Sequence, residues 1–301
     1  PSNARRFLDI VHPEIAIFIK YEFWINLLSE LRCRKVRSYI VSAIFRRNSV
    51  FFRPYGAMWR QALETFDTLF VQNVESKRLL SEIGFDNVVV AGDTRFDRVA
   101  QIAAAAQRVE TIEHFRGGGR LFVAGSTWGP DEEILLPLVN ANPDVKFVIA
   151  PHEMDEGRIA HLMRDAKGGA VRYTQCDAAT RFDDVQVLVL DTMGMLSSVY
   201  GSATWAYVGG GFGVGIHNTL EAATFGLPIA FGPNYGKFKE ARDMVSLGCA
   251  VSVRTAGELA AWFAPLRDDE ETLRRASRTA KDYTARNQGA TGIILRSIFN
   301  S

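Results

Sequence analysis

The sequence predicts an α/β protein built on parallel sheets, and three observations predict it. Short β-rich runs alternate with amphipathic helical runs along the chain, the pattern of parallel strands joined by right-handed helical crossovers. The strand runs are apolar throughout rather than alternating, as in strands buried on both faces. The 301 residues are 47% hydrophobic and 23% charged, ordinary for a globular protein of roughly two domains. No apolar run approaches the roughly 18 residues of a membrane helix.

The elements follow in order. The chain opens on Pro1-Ser2-Asn3 and runs at once into a helix-like stretch, Ala4–Ile10. Position 1 therefore reads as a cut within a longer protein. Strands are expected at Ile15–Ile19, Val36–Ile44, Thr68–Gln72, Val88–Ala91, Leu121–Ala124, Lys146–Ala150, Val187–Leu190, Ala206–Val208, Pro228–Phe231 and Ala250–Val253. Helices are expected between them, at Tyr55–Glu64, Ser76–Ile83, Phe96–Ala105, Asp131–Val139, Glu153–Ala166, Asn218–Phe225 and Lys237–Ser246. The stretch Asp268–Asn300 reads as two helices broken near Asn287-Gln288-Gly289.

The run Arg116-Gly117-Gly118-Gly119-Arg120 punctuates rather than folds. It places the domain boundary, giving residues 1–115 as one α/β unit and 116–301 as another with the C-terminal helices. The first unit is short of a full doubly wound sheet. No repeat at a solenoid period is present. Cys33, Cys176 and Cys249 are far apart with no CxxC pair, which argues against a disulfide framework and a zinc site and fits a reducing compartment. A net charge of +1 gives no bulk attraction for nucleic acid.

Charge is nevertheless uneven. Between Leu31 and Leu63 no acidic residue occurs, while Arg32, Arg34, Lys35, Arg37, Arg46, Arg47, Arg53 and Arg60 interleave with Phe45, Phe51, Phe52, Tyr55 and Trp59. Two readings stand: a solvated basic face over core aromatics, or a surface for an anionic partner such as a lipid headgroup region.

The segment with most chemistry is Tyr207–Glu221, where a strand ends, five glycines fall within seven residues and a helix begins. Glycine lets backbone amides approach a ligand, and a helix start adds unpaired N–H groups. The G-G-G-x-G-x-G spacing is neither a dinucleotide fingerprint nor a P-loop. Glu221 falls in the first helical turn, where a carboxylate can take two hydroxyls of a ribose or simply complement the helix dipole. The loop Gly232–Lys237, the strand ends at Pro151-His152 and at Asp191–Met195, and the small polar loop Gly125–Glu132 join it by topology, since open α/β sheets bind ligands at the carboxyl ends of strands.

At these residues the chain resembles the 3-deoxy-manno-octulosonate (Kdo) transferases of lipid A assembly. The matching stretches are Ile19–Trp24, Ala91–Asp97, Ala124–Thr127, Pro151-His152, Asp191–Gly194, Gly209–Glu221 and Asn287–Ala290, in the family's order. The resemblance implies a GT-B glycosyltransferase, with two Rossmann-like domains facing a cleft and the N-terminal one incomplete. It implies an inverting, metal-independent transfer, with no cofactor beyond the donor substrate CMP-Kdo. The acceptor would be a lipid A precursor such as lipid IVA, at the cytoplasmic face of the inner membrane of a Gram-negative bacterium. An anionic membrane surface would be a partner and nucleic acid would not.

Carried over by position, Pro151, His152, Met193, Gly194, Met195, Asn218, Thr219, Leu220 and Glu221 correspond to the nucleotide-binding set, and Glu22 and Arg95 to the pair near the reacting centre. Met195 stands where the family usually has an acidic residue, and Arg95 where it usually has lysine. The family's general-base glutamate and membrane anchor would precede Pro1. Sugar transfer needs a carboxylate to take the acceptor proton, a carboxylate to favour oxocarbenium character and cations or donors for the departing phosphate. Arg95 and the helix start near His217-Asn218 fit the last need, and Glu22, beside Trp24 after a strand, is expected to be partly buried. Another GT-B enzyme, such as a nucleotide-sugar 2-epimerase, and a catalytically inactive nucleotide-binding fragment are the alternatives.

Overall fold

A computed structural model describes residues 2–299. The chain divides into two compact units: residues up to Asp97 together with those from Asn287 onward, and Arg98–Arg286.

The first unit holds a four-stranded, all-parallel sheet in the order β1-β2-β3-β4. The strands are β1 (Ile15–Ile19), β2 (Arg37–Ala43), β3 (Thr68–Val71) and β4 (Val88–Val90). α1 (Ser2–Val11) precedes β1, and the helices α2 (Ile25–Cys33), α3 (Ala57–Leu63) and α4 (Val74–Ser81) follow the strands; α5 (Thr94–Ala105) starts in this unit and runs on into the second. α4 starts where Asn73 Oδ1 accepts the Ser76 N–H at 2.8 Å, a side-chain cap on an otherwise orphan donor. One sheet face buries Phe18, Ile40, Leu69 and Val88 with Leu28, Leu31, Leu63 and Leu80.

The second unit holds a seven-stranded, all-parallel sheet in the order β11-β10-β9-β5-β6-β8-β7. Its strands are β5 (Leu121–Thr127), β6 (Lys146–Pro151), β7 (Ala170–Arg172), β8 (Val187–Val189), β9 (Trp205–Val208), β10 (Ile229–Phe231) and β11 (Ala250–Ser252). Its helices are α6 (Glu110–Arg116), α7 (Gly129–Ala141), α8 (Glu156–Asp165), α9 (Leu196–Tyr200), α10 (Thr219–Thr224), α11 (Lys239–Ser246), α12 (Ala256–Asp268) and α13 (Glu270–Arg286). Alternate β5 residues feed opposite faces: Leu121 and Val123 pack with Leu188, Ala206 and Phe231, and Phe122 and Ala124 with Phe147, Trp205 and Phe263. Burial on both faces explains the unbroken apolar strand runs.

The last helix, α14 (Ala290–Phe299), returns to the first unit. Its Ile294 and Ile298 pack with Tyr39, Val41 and Phe70 on the remaining face of the four-stranded sheet. The carboxylate of Asp97 accepts the N–H groups of Gly289 (2.5 Å) and Thr291 (2.7 Å) and so fastens the helix start.

The compact units therefore divide elsewhere than at the glycines. Ile112 and Phe115 of α6 lie in the core of the second sheet, and α14 lies in that of the first. The glycine run is a turn between α6 and β5, both within the second unit. One short strand, β7, and four helices, α2, α6, α9 and α12, add to those expected from the sequence.

Candidate functional site

In the second sheet the strand order reverses between β5 and β9, since β6 lies on one side of β5 and the later β9 on the other. Such a switch point splays the following loops apart and leaves a crevice at the carboxyl ends of the strands. The loops there are Trp128 and its neighbours after β5, Gly209–Asn218 after β9, and His152 after β6.

Side chains tie these loops together. The rings of Trp128 and His152 lie 4.7 Å apart, and His152 stacks on His217 at 4.4 Å. Trp128 Nε1–H donates to His217 Nε2 at 3.2 Å. His152 N–H donates to Thr127 O at 2.9 Å. Beneath them the buried carboxylate of Asp131 accepts from Trp128 N–H (2.9 Å), Gly210 N–H (2.9 Å) and Tyr207 O–H (2.7 Å). Burial, with Asp131 adding to it, pushes the Tyr207 hydroxyl far up, so it stays a donor. Glu132, also buried, accepts from Thr127 Oγ1 (2.8 Å) and Arg158 (2.7 Å), and the Arg158 guanidinium lies 5.9 Å from the Trp128 ring centre. Burial, then His152, holds the His217 imidazole below its ordinary range, against a smaller opposing pull from Asp131.

The second group of expected residues meets through Glu221. Its Oε1 accepts from Asn218 Nδ2 (2.9 Å) and its Oε2 from Ser197 Oγ (3.0 Å). Ser197 lies in the first turn of α9, directly after the 193–195 segment, so that segment and the α10 start are joined. Met193 is almost fully exposed and Gly194 is in the left-handed region at φ +84°. Each Glu221 oxygen keeps acceptor capacity beyond its present bond.

Two expectations change. Thr219 and Leu220 are buried, so they offer a ligand no side chain, and the Leu220 N–H is already donated to Asn218 Oδ1. α10 is only 6 residues long, too short for a helix dipole to dominate. The glycines also have structural work. A Cβ at Gly209 would come within 2.1 Å of Ser126 O, and one at Gly211 within 2.6 Å of the Gly232 backbone. The loops after β9 and β10 touch, as topology predicted, with Asn234 N–H donating to Gly211 O at 2.8 Å.

In the first unit, Glu22 is exposed and Trp24 is 62% exposed, so the expected partial burial of Glu22 does not occur; the loop turns outward after β1. Arg95 is held by Asp93, which is buried: Nε and Nη2 lie 2.9 Å and 2.8 Å from Oδ2. Lys20 Nζ is 3.9 Å from the same oxygen. Asp93 Oδ1 also accepts the Arg95 N–H at 2.9 Å, making it the cap of α5.

The basic stretch is answered by acids outside it. Arg32 pairs with Glu64, Arg34 with Asp9 and Glu30, and Arg47 with Glu82. Arg60 donates to Phe51 O and Arg53 O. Phe45 and Phe51 are core residues, stacked edge-on at 5.3 Å. These four arginines therefore have partners within the unit. Among the described residues, no helix is long and apolar enough to cross a membrane, and no group of three or more His, Cys, Asp or Glu is placed to hold a metal ion.

Sequence reasoning placed Trp128 and Asp131 in a strand-end loop without giving them roles, and it missed Ser197. The spacing Trp128-x-x-Asp131 at a helix start carrying Pro130 was the available signal, because a carboxylate three residues into a helix reaches back to the preceding N–H.

Comparison with known proteins agrees with the resemblance. The family described as 3-Deoxy-D-manno-octulosonic-acid transferase (kdotransferase) matches residues 1–98. A 3-deoxy-D-manno-octulosonic acid transferase of Bordetella pertussis is 27% identical, across 99% of this chain and 72% of that protein. Its counterpart in Haemophilus influenzae is 24% identical across 98% and 71%, and that of Rickettsia felis 24% identical across 85% of this chain and 56% of its own length. Among solved structures, the UDP-GlcNAc 2-epimerase of Neisseria meningitidis superposes with a TM-score of 0.68 at 17% identity, covering 100% of this chain and 80% of that one. A trehalose-phosphate synthase of Burkholderia vietnamiensis gives 0.57 at 14%, covering 98% and 74%. These two likenesses are of fold, and the fold is the α/β GT-B class.

Proposed function

We propose that this chain, which is similar to the 3-deoxy-D-manno-octulosonic acid transferases over almost its whole length, serves transfer of Kdo from CMP-Kdo to a lipid A precursor, in an inverting reaction that needs no metal. The observation that carries this reading is the joining of the strand-end loops around His152, Ser197, His217 and Glu221 at the switch point of the second sheet, in a chain similar to these transferases over almost its whole length.

On this reading the second unit holds CMP. Glu221, oriented by Ser197 and Asn218, accepts the ribose hydroxyls with its remaining lone pairs. Pro151, Gly194 and Met195 offer main-chain groups. Glu22 is assigned to the positive charge that develops on the sugar ring as the bond to phosphate breaks. Arg95, whose guanidinium is fixed by Asp93, is assigned to the negative charge on the departing phosphate. Both first-unit assignments rest on the resemblance. The acceptor proton goes to a carboxylate general base.

The test is calorimetry with CMP and UMP. CMP binds more tightly than UMP, and Glu221→Gln weakens CMP by about 1–3 kcal/mol, the scale of a lost hydrogen bond to a charged group. Unchanged CMP affinity in Glu221→Gln removes that residue from the site. A preference for UMP returns the chain to the epimerase-like alternative.

A further inference from the structure

The hydrogen bond from Trp128 to His217 is not among the nucleotide contacts proposed above, and its chemistry is specific. An indole N–H can only donate. Its acceptor is Nε2 of His217, at 3.2 Å. A neutral imidazole that accepts at Nε2 carries its proton at Nδ1. We propose that Trp128 is a positioning residue that fixes His217 as the neutral Nδ1–H tautomer, and that His217 thereby presents a hydrogen-bond donor to the nucleotide's phosphate. This rests on the nucleotide reading of the second unit.

The lock is well supported. The backbone N–H of Trp128 is pinned to Asp131 Oδ2, the same oxygen that receives the Gly210 N–H. Gly210 has no Cβ, and one there would stand 2.9 Å from His217 Cδ2 and 3.1 Å from Nε2. The imidazole thus lies against a backbone position that only glycine leaves open. The groups facing His217 are His152 from the loop after β6, stacked at 4.4 Å, and Asp131 of α7. Arg158 of α8 lies against Trp128 on α7's start and is neutralised by Glu132. Burial first, and the stacked His152 second, disfavour a charged His217 ring, so the neutral ring is the stable one. A neutral donor strengthens as charge grows on a departing phosphate, without changing protonation near neutral pH.

Nitrogen-15 spectra of the histidine rings test this in the whole chain, first without ligand and then with CMP. The wild type is expected to show His217 Nδ1 protonated and Nε2 as acceptor. Trp128→Phe keeps the ring stack but removes the donor, so the tautomers mix. CMP affinity then falls about 3- to 10-fold, the range of one neutral hydrogen bond, and depends more on pH on the acid side of neutrality, because the donor that kept Nε2 unprotonated is gone. As a second pair of variants, His217→Asn, whose amide nitrogen occupies the place of Nδ1, retains most CMP affinity, whereas His217→Gln does not. A wild-type Nε2–H tautomer overturns the proposal, as does a Trp128→Phe protein with unchanged tautomer and unchanged pH profile. A wild type that shows the Nδ1–H tautomer but binds no CMP overturns the nucleotide reading and the donor role with it, while the lock itself stands.

Discussion

The carboxyl-end loops of the seven-stranded sheet are braced, whereas the first strand of the four-stranded sheet is open. In the second unit the buried Asp131 alone collects three donors from two loops and a strand. In the first unit, β1 is an edge strand whose Ile17 and Ile19 are 48% and 57% exposed. Beside it runs an apolar groove of about 710 Å³ lined by residues such as Phe7, Val11, Tyr21 and Trp24. The contrast separates two uses of a strand end. Where loops are cross-linked by buried hydrogen bonds, their donors and acceptors are already oriented and ligand binding has little ordering to do. An edge with unpaired backbone groups and exposed apolar side chains is instead a surface that another element can cover.

The largest effect is expected where the bracing concentrates. Asp131→Ala leaves the Trp128 and Gly210 N–H groups and the Tyr207 O–H without their acceptor. At about 1–3 kcal/mol per unsatisfied buried group, the loss is on the order of 3 kcal/mol or more. Urea unfolding followed by the fluorescence of Trp205, which is buried in the second sheet, reads it. A loss under about 1 kcal/mol would mean that water replaces the carboxylate, and the two sheets would differ less than their geometry suggests.

A smaller effect is expected in the first unit, at its own carboxylate clasp. Asp97→Ala removes the acceptor for the Gly289 and Thr291 N–H groups. Loss of such a cap costs about 0.5–2 kcal/mol. It should show as faster proteolysis at 287–289, with the urea transition of the second unit unmoved. Equal destabilisation of both units would break the comparison, because it would make α14 a shared element rather than part of the four-stranded unit.

These two clasps also mark where sequence reading stopped. All ten expected strands form, because apolar β-rich runs announce themselves locally. β7 escaped because Ala170–Arg172 is three residues long and only half-buried at a sheet edge. The glycine run at 117–119 signalled a turn correctly, but a turn does not reveal which sheet the preceding helix packs on. That depends on contacts such as Phe115 with Phe182, far apart in sequence. The site was legible as a set of strand ends, since parallel topology alone brings 151–152, 193–195 and 218–221 to one edge. Its bracing was not legible, because Trp128 meets His217 across 89 positions and Asp131 meets Tyr207 across 76. The acid-free window 31–63 shows a related limit: its arginines find Asp9, Glu30, Glu64 and Glu82, acids that lie outside the window in sequence and beside it in space.

The smallest effect is one of pH, and it should belong to the second unit alone. Burial and the stacked His152 hold the His217 imidazole below its ordinary range in the folded chain, while in the unfolded chain it titrates at about 6.5. As pH falls through that value the unfolded state takes up a proton that the folded state resists, so stability declines. The decline ends once the folded imidazole also protonates. Carboxylates titrate near about 4, so comparing urea midpoints at pH 7.5 and pH 5.5 keeps them charged throughout. The wild type should be less stable at the lower pH. His217→Asn should flatten the difference, and Asp97→Ala should leave it intact. Hydrogen exchange should locate the change, with protection at the Gly210 and His217 amides falling at pH 5.5 after correction for intrinsic rates, while that of Ile40 in the four-stranded sheet holds. A pH dependence carried equally by both sheets, or one that survives His217→Asn, would show that the imidazole between Trp128 and His152 is not the group that senses protons in this range.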